Sequence, residues 1–276
     1  MPTAVATLPT LKMCKHPGCG NIATGYKGTC YEHSQRKDLN SYYARPKPTV
    51  RTKFPVGVEI ECYNPTTVYK VTHVAPCVAD DGSLPSNGGE IKLCGNEDKI
   101  EDKAADCVQR SALVGNKVNK KCGLHLHFQL PNASTLAYRS EEAKRLAVLV
   151  YNMEDFMYNI VPQSRKRNAY CSRINSPDGY IHDHYKWFSL SSSVPTYEVR
   201  IHAGTMNPWK IKGWINAWKQ VRPDIHKVIN GESGWEDIAE SYKGDGFMRK
   251  LDPNSIGYKY IQSRSTSGGT LRSFGF

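Results

Sequence analysis

The stretch KCGLHLHFQLP (121–131) alternates between apolar and polar residues. Two leucines and a phenylalanine fall on one face of this stretch, whereas His125 and His127 fall on the other. A period of two is that of a β-strand with one face against a core. The pattern therefore predicts a strand over 123–130 that presents two imidazoles on its polar face. A pair of surface histidines on a half-exposed strand is the simpler alternative.

Three further segments show the same alternation. FPVGVEIECY places Glu59 and Glu61 opposite aliphatic residues, GGEIKL supplies Glu90, and YEVRIH supplies Glu198 and Arg200. Two carboxylates on one strand face repel each other unless a cation or a solvated cleft accepts them. Each motif alone is also typical of an ordinary surface, but the agreement of four strands predicts one shared functional face.

Two amphipathic helices are predicted together with their ends. Ser140 can cap EEAKRLAVLVYNMEDFMYNI, whose large apolar residues form one stripe. A second helix begins at Pro208 and ends at Gly231, with a kink expected at Pro223. A weaker helical pattern covers 98–114.

The order of the elements predicts the fold class. The other predicted strands cover 54–61, 68–75, 88–94, 185–190 and 196–202. Strands occur in pairs separated by helices, without the regular alternation of a parallel sheet. This order favours an α+β fold with a mostly antiparallel sheet and helices on one face.

The N-terminal segment CKHPGCGNIATGYKGTCYEH has the spacing of a small zinc module. Cys14, Cys19, Cys30 and His33 can complete a tetrahedral shell, and His16 is an alternative fourth ligand. The segment has too few apolar residues to form a core, so we expect it to fold only when it binds a metal. Accidental clustering of cysteines is the competing interpretation.

Positive charge is concentrated at the two ends of the chain. The net charge is +11, of which residues 1–53 contribute +7 and residues 254–276 contribute +3. Basic ends on a near-neutral body suggest contact with nucleic acid or another polyanion. Solubility alone is the other explanation.

These observations divide the chain into four parts. We predict a zinc-binding module (1–39), a basic linker (40–53), a catalytic domain (54–252) and a basic flexible tail (253–276). No apolar run approaches the roughly 20 residues of a membrane span, and the N-terminus lacks the pattern of a signal peptide. A cytoplasmic protein without a membrane partner is expected.

The polar face predicts a particular chemistry. Hard oxygen ligands with an occasional imidazole suit magnesium or manganese better than zinc. Arg200, next to Glu198 on the same face, has the fork that matches phosphate oxygens. No glycine-rich phosphate loop is present, so metal and side chains would hold any nucleotide. The face therefore indicates phosphoryl transfer from a metal-bound nucleotide.

An ordered set of motifs resembles the amidoligase family, a branch of the carboxylate–amine ligases similar to glutamine synthetase and glutamate–cysteine ligase. The motifs are ExE (59–61), DGS (81–83), GGEI (88–91), GLHLH (123–127), SRKRNAY (164–170) and YEVRIHAGT (197–205). Together they span roughly 60% of the chain, residues 54–222. The chain departs from the family at IKLC (91–94), where a Ser-Pro pair is common, and this puts the substrate wall there in doubt.

The resemblance implies a curved antiparallel sheet, like that of glutamine synthetase, whose concave face binds ATP and magnesium. ATP would phosphorylate a carboxylate substrate, and an amine substrate would attack the acyl phosphate. The implied metal ligands are Glu59, Glu61, Glu90, Glu198 and His125 or His127. The implied contacts to the nucleotide are Arg165, Arg200 and Glu90. Asp81, Arg165 and Arg200 would take part in catalysis, with Asp81 orienting or deprotonating the amine.

Three functions follow as hypotheses. The first is an ATP-dependent carboxylate–amine ligase that acts on a large or polyanionic substrate. The second is a zinc-dependent nucleic-acid-binding protein whose ligase-like domain is inactive. The third is a metal-dependent nuclease, since carboxylates and histidines also serve two-metal hydrolysis.

Overall fold

Six strands form one antiparallel sheet in the computed structural model, which describes residues 55–63, 77–79, 83–84, 88–113, 115–191 and 194–265. The strands are β1 (Val56–Tyr63), β2 (Cys77–Ala79), β3 (Gly88–Gly95), β4 (Gly123–Gln129), β5 (Phe188–Leu190) and β6 (Thr196–Ala203). Their order across the sheet is β2-β3-β1-β4-β6-β5. All five neighbouring pairs are antiparallel.

Helices make up most of the remaining described chain. They are α1 (Ile100–Leu113), α2 (Glu141–Ile160), α3 (Gln163–Lys166), α4 (Pro208–Asn230), α5 (Trp235–Glu240), α6 (Gly246–Arg249) and α7 (Ile256–Ser265). Three consecutive residues, Ala169–Cys171, form a 3₁₀ turn. None of the helices in the described ranges is long and apolar enough to cross a membrane.

The period-two alternation separates the two faces of the sheet. Val58, Leu126 and Val199 are fully buried in one continuous core with the apolar residues of α1, α2 and α4. Burying such side chains contributes about 1.5–3 kcal/mol each, so the register that keeps them inside is strongly favoured. The α+β class and the antiparallel sheet predicted from the sequence are confirmed.

The helix ends follow from capping residues. The Ser140 side chain accepts a hydrogen bond from the Ala143 backbone N–H at the start of α2. The N-cap of α4 is Asn207, with Pro208 in its first turn, and its C-cap Gly231 has the left-handed φ of 64°. The helix continues through Pro223 as one element.

The predicted flexible tail is wrong for its first part, because residues 256–265 form α7. Tyr260 and Ile261 of this helix are buried. Two glycines allow close packing on α4: a Cβ at Gly213 would lie 2.4 Å from Cβ of Tyr260, and one at Gly257 would lie 2.7 Å from the Ala217 nitrogen. The hydrophobic periodicity of this helix is weak, so its sequence is similar to that of a polar, unstructured chain terminus. The domain therefore extends past residue 252.

Several predictions concern segments outside the described residues. They are the zinc module with Cys14, Cys19, Cys30 and His33, the linker 40–53, the strand over 68–75, Asp81, and the end of the tail from 266.

Candidate active site

Strand register brings the predicted polar residues together. Glu59 of β1 lies opposite His125 of β4, and His127 of β4 lies opposite Glu198 of β6. Directly opposed residues on one face of an antiparallel pair have Cβ atoms about 4.5–5.5 Å apart. Two carboxylates and two imidazoles from three adjacent strands therefore share one patch of the sheet.

Three of these residues form a group that could hold a metal ion. Glu59, His125 and Glu198 each offer one ligand atom, and these atoms lie within 4.8 Å of one another. Nδ1 of His125 is 3.3 Å from Oε1 of Glu198 and 3.6 Å from Oε2 of Glu59. Two oxygens and one imidazole nitrogen are a donor set that suits Mg²⁺ or Mn²⁺.

The imidazole nitrogens give an independent reason to expect a cation. Within the part of the chain that the structure describes, Nδ1 of His125 and Nε2 of His127 are buried and have no hydrogen-bond partner. An unsatisfied buried polar atom costs about 1–3 kcal/mol. A divalent ion bound among Glu59, His125 and Glu198 would satisfy Nδ1 of His125 and offset the repulsion between the carboxylates.

Glu61 orients His125. It is 5% exposed, and its Oε1 lies 3.3 Å from Nε2 of His125. Its other oxygen accepts a hydrogen bond of 2.6 Å from the Gly123 backbone N–H. A Cβ at Gly123 would lie 2.5 Å from Nε2 of His125, so a larger residue there would displace the imidazole ring. A carboxylate on the second nitrogen of a ligand histidine fixes its ring orientation.

Lys92 enters the cluster from β3. Its Nζ lies 2.9 Å from Oε1 of Glu59 and 2.5 Å from Oε2 of Glu90. Burial works against the charged ammonium, but the two glutamates outweigh it and raise the pKa of Lys92. Lys92 was not among the predicted site residues, although its position two residues after Glu90 places it on the same strand face. Glu90 itself lies beside Lys92 and outside the three-residue group.

The electrostatics of the pair Glu59 and His127 favour their charged forms. Burial alone would raise the pKa of Glu59, but His127, His125 and Lys92 lower it well below its ordinary value. Burial likewise would lower the pKa of His127, and the carboxylates of Glu59 and Glu198 raise it instead. The carboxylate of Glu59 and the imidazole of His127 thus favour each other's charged form.

Arg200 lies at the edge of this cluster. Its Nη1 is 2.5 Å from Oε1 of Glu198, and its Nε donates to the Tyr170 carbonyl oxygen at 3.3 Å. The Glu198 carboxylate also accepts a hydrogen bond from Ser189 at 3.4 Å. The guanidinium therefore adjoins the metal-capable group.

Arg165 contacts the backbone of β6. It is 2% exposed, and its guanidinium donates to the carbonyl oxygens of Arg200 at 2.6 Å and Ile201 at 3.4 Å. These contacts hold the backbone of β6 in place. A role in contacting phosphate stays a prediction, and so does the role of Asp81.

Comparisons with known proteins find distant structural similarity. No family model matches the chain, and no curated protein does. Among solved structures, the chain is similar to the crystal structure of a bifunctional glutathione synthetase from Pasteurella multocida, with a TM-score of 0.40 and 12% sequence identity. The match covers 80% of this chain and 48% of that one, so the chain spans about half the length of that protein. A likeness this distant is no evidence for a shared activity.

The chemistry available to the cluster follows from its side chains alone. Glu59, His125 and Glu198 could hold a divalent cation, and Arg200 beside them could neutralise an anionic group that approaches the same cation. A metal–guanidinium pair is the usual way to bind a transferring phosphoryl group.

Proposed function

We propose that this chain is an ATP-dependent ligase that joins a carboxylate to an amine. The observation that supports this most is the convergence of Glu59, His125 and Glu198 on one metal-capable point with Arg200 alongside. This geometry alone does not indicate which substrates react. The motifs occur in an order similar to that of the amidoligases, and this supports a carboxylate and an amine as the substrates.

In this proposal, Glu59, His125 and Glu198 hold a magnesium or manganese ion, which neutralises the negative charge of the ATP phosphates. Arg200 binds an oxygen of the transferred phosphoryl group, because its guanidinium fork matches phosphate geometry. Glu61 and Arg165 act as positioning residues: the first orients the His125 ring, and the second fixes the β6 backbone beneath Arg200.

The reaction has two steps. A carboxylate oxygen of the acid attacks the γ-phosphorus of ATP, and ADP leaves. The amine nitrogen then attacks the acyl carbon, phosphate leaves, and one proton is lost from the nitrogen to give the amide. The nucleophile must be a neutral amine, so a base near the acyl group is needed. Asp81 is proposed for this role from its position in the DGS motif.

The N-terminal cysteines belong to the same proposal as a delivery module. We infer that Cys14, Cys19, Cys30 and His33 bind a structural zinc ion, and that this basic part of the chain, which carries +7 over residues 1–53, captures a large or polyanionic substrate. Nucleic acid is one such substrate.

The test is a coupled assay of ADP release. The full chain is incubated with ATP, magnesium and mixed carboxylates and amines, and the product is identified by mass spectrometry. Release that requires both an acid and an amine supports ligation. Release that is independent of any carboxylate contradicts it. Cleavage of DNA without ATP would favour the metal-dependent nuclease instead.

A further inference from the structure

A cavity whose lining residues differ from those of the carboxylate–imidazole cluster lies at the end of β6. Its volume is about 160 Å³, it is partly open to solvent, and it is lined by the end of α2, the end of β6, the first turns of α4, and α7. None of its described lining residues belongs to the metal-capable group. A cavity of roughly 150 Å³ can hold a benzene-sized molecule, so this one has room for a small ligand.

The two described residues with long charged side chains that line the cavity are basic. Lys210 of α4 and Arg264 of α7 reach it, and among the described lining residues there is no aspartate or glutamate. Arg264 is 8% exposed, and its Nε donates to the Ile160 carbonyl oxygen at 3.0 Å. Burial lowers the pKa of Lys210, and the neighbouring Arg264 lowers it further. Two neighbouring cations disfavour each other's charged form, and a bound anion would relieve this.

Trp214 adds an unused donor to the same cavity. Its side chain is 1% exposed and lines the cavity, and its Nε1 has no hydrogen-bond partner in the described part of the chain. An indole N–H only donates. The group that satisfies it must therefore be an acceptor.

His202 also lines the cavity but is already fully engaged. Its Nδ1 donates to the Ala203 carbonyl oxygen at 2.6 Å, and the Tyr260 hydroxyl donates to its Nε2, also at 2.6 Å. Burial, reinforced by Arg264, lowers its pKa to about 3. His202 is thus a neutral lining residue, and the cavity is also lined by three residues with donors that a ligand could use: Trp214, Lys210 and Arg264.

We propose that this cavity binds a small oxyanion, a carboxylate or a phosphate, through Lys210, Arg264 and the indole N–H of Trp214. The positive end of the α4 dipole, which lies at the cavity, favours the same charge. The proposal is independent of the ligase activity, because it involves neither ATP nor the metal-capable group.

The test uses the indole N–H signals of the ¹⁵N-labelled full chain, which contains five tryptophans. Inorganic phosphate and acetate are titrated separately at constant ionic strength against a chloride background. The Trp214 signal is assigned by its loss in Trp214→Phe. We expect it to move downfield with saturation as the N–H gains an acceptor. Lys210→Met should weaken binding about tenfold or more, since it removes a charge-assisted hydrogen bond.

Lys212→Met is the matched control. Lys212 lies on the same helix, but its Nζ pairs with Asp102 at 2.5 Å, outside the cavity. This variant should bind as the wild type does. A response to phosphate alone or to acetate alone identifies the ligand class and supports the proposal. Equal response to chloride, no saturable shift, or unchanged affinity in Lys210→Met would overturn it.

Discussion

Glu59 and His125 lie opposite each other on adjacent antiparallel strands, and Oε2 of Glu59 is 3.6 Å from Nδ1 of His125. The second oxygen of Glu59 lies 2.9 Å from Nζ of Lys92 and 3.5 Å from Nε2 of His127. One carboxylate therefore contacts three basic side chains from two flanking strands. The negative charge of Glu59 therefore affects both the binding of a metal ion and the charges of the neighbouring basic side chains.

Glu59→Gln should abolish ATP-dependent turnover while the fold is retained. The amide has nearly the same volume, so no cavity forms, but it removes the charge that a divalent cation requires. Turnover is measured by ADP release, and the fold by circular dichroism and thermal unfolding. Glu141→Gln is the control, because the Glu141 side chain is 70% exposed at the start of α2. Full activity in Glu59→Gln would place the site elsewhere.

The two histidines should differ as metal ligands. His125 belongs to the three-residue group, whereas Nε2 of His127 lies 3.5 Å and 3.7 Å from Oε1 of Glu59 and Glu198. We expect His125→Asn to weaken Mn²⁺ binding by at least about tenfold, and His127→Asn to weaken it less. Calorimetric titration of the purified chain with Mn²⁺ measures both. The reverse order would identify His127 as the ligand.

The grouping of polar side chains could be predicted because period-two alternation determines which side chains share a sheet face. Glu59, His125 and Glu198 were predicted for this reason, and register then brought them together. The carbonyl contacts of Arg165 could not be predicted, because they depend on tertiary packing. Helix α7 was missed because glycine-mediated close packing, as at Gly257, leaves little hydrophobic periodicity in the sequence.

Glu154→Gln should destabilise the segment from 172 to 187. Glu154 is 2% exposed, and one of its oxygens accepts hydrogen bonds from the Ile174 backbone N–H at 2.5 Å and the Trp187 indole at 2.9 Å. The other oxygen accepts one from the Asn175 backbone N–H at 3.3 Å. A glutamine amide must turn its NH₂ group toward one of these sets of donors. A loss of about 1–3 kcal/mol in the free energy of unfolding is expected.

Urea unfolding measures this loss, and hydrogen exchange locates it. Asp155→Asn is the matched control, because Asp155 is the next residue and also pairs with Arg173, but its side chain is 84% exposed. Exposed ion pairs contribute about 0–1 kcal/mol. Equal stability of Glu154→Gln and the wild type would show that the buried carboxylate does not hold this segment.

Serine substitution of both Cys14 and Cys19 should remove zinc from the purified chain. Thiolates are required ligands, and two hydroxyls do not replace them. If the N-terminal segment is a separate delivery module, capture of a large polyanionic substrate falls more than turnover on a small acceptor. Zinc is quantified by atomic emission and both activities by ADP release. Equal loss of both would contradict a separate module.

The pKa of His202 predicts a pH dependence of stability with a definite sign. Burial, aided by Arg264, lowers this pKa to about 3 in the folded chain, whereas an unfolded histidine has a pKa of about 6.5. Between these values the unfolded state binds the additional proton, so the free energy of unfolding falls as the pH decreases below about 6.5. The fall approaches about 1.4 kcal/mol per pH unit for one proton.

His202→Gln removes this titration but keeps a neutral side chain that can donate and accept. Its free energy of unfolding should therefore depend less on pH than that of the wild type between about pH 6.5 and pH 5. His184→Gln, at an exposed histidine, should keep the wild-type slope. Urea unfolding at each pH gives the three slopes. Parallel slopes for the wild type and His202→Gln would mean that His202 accepts its proton in the folded chain, and that the cavity beside it holds a third cation.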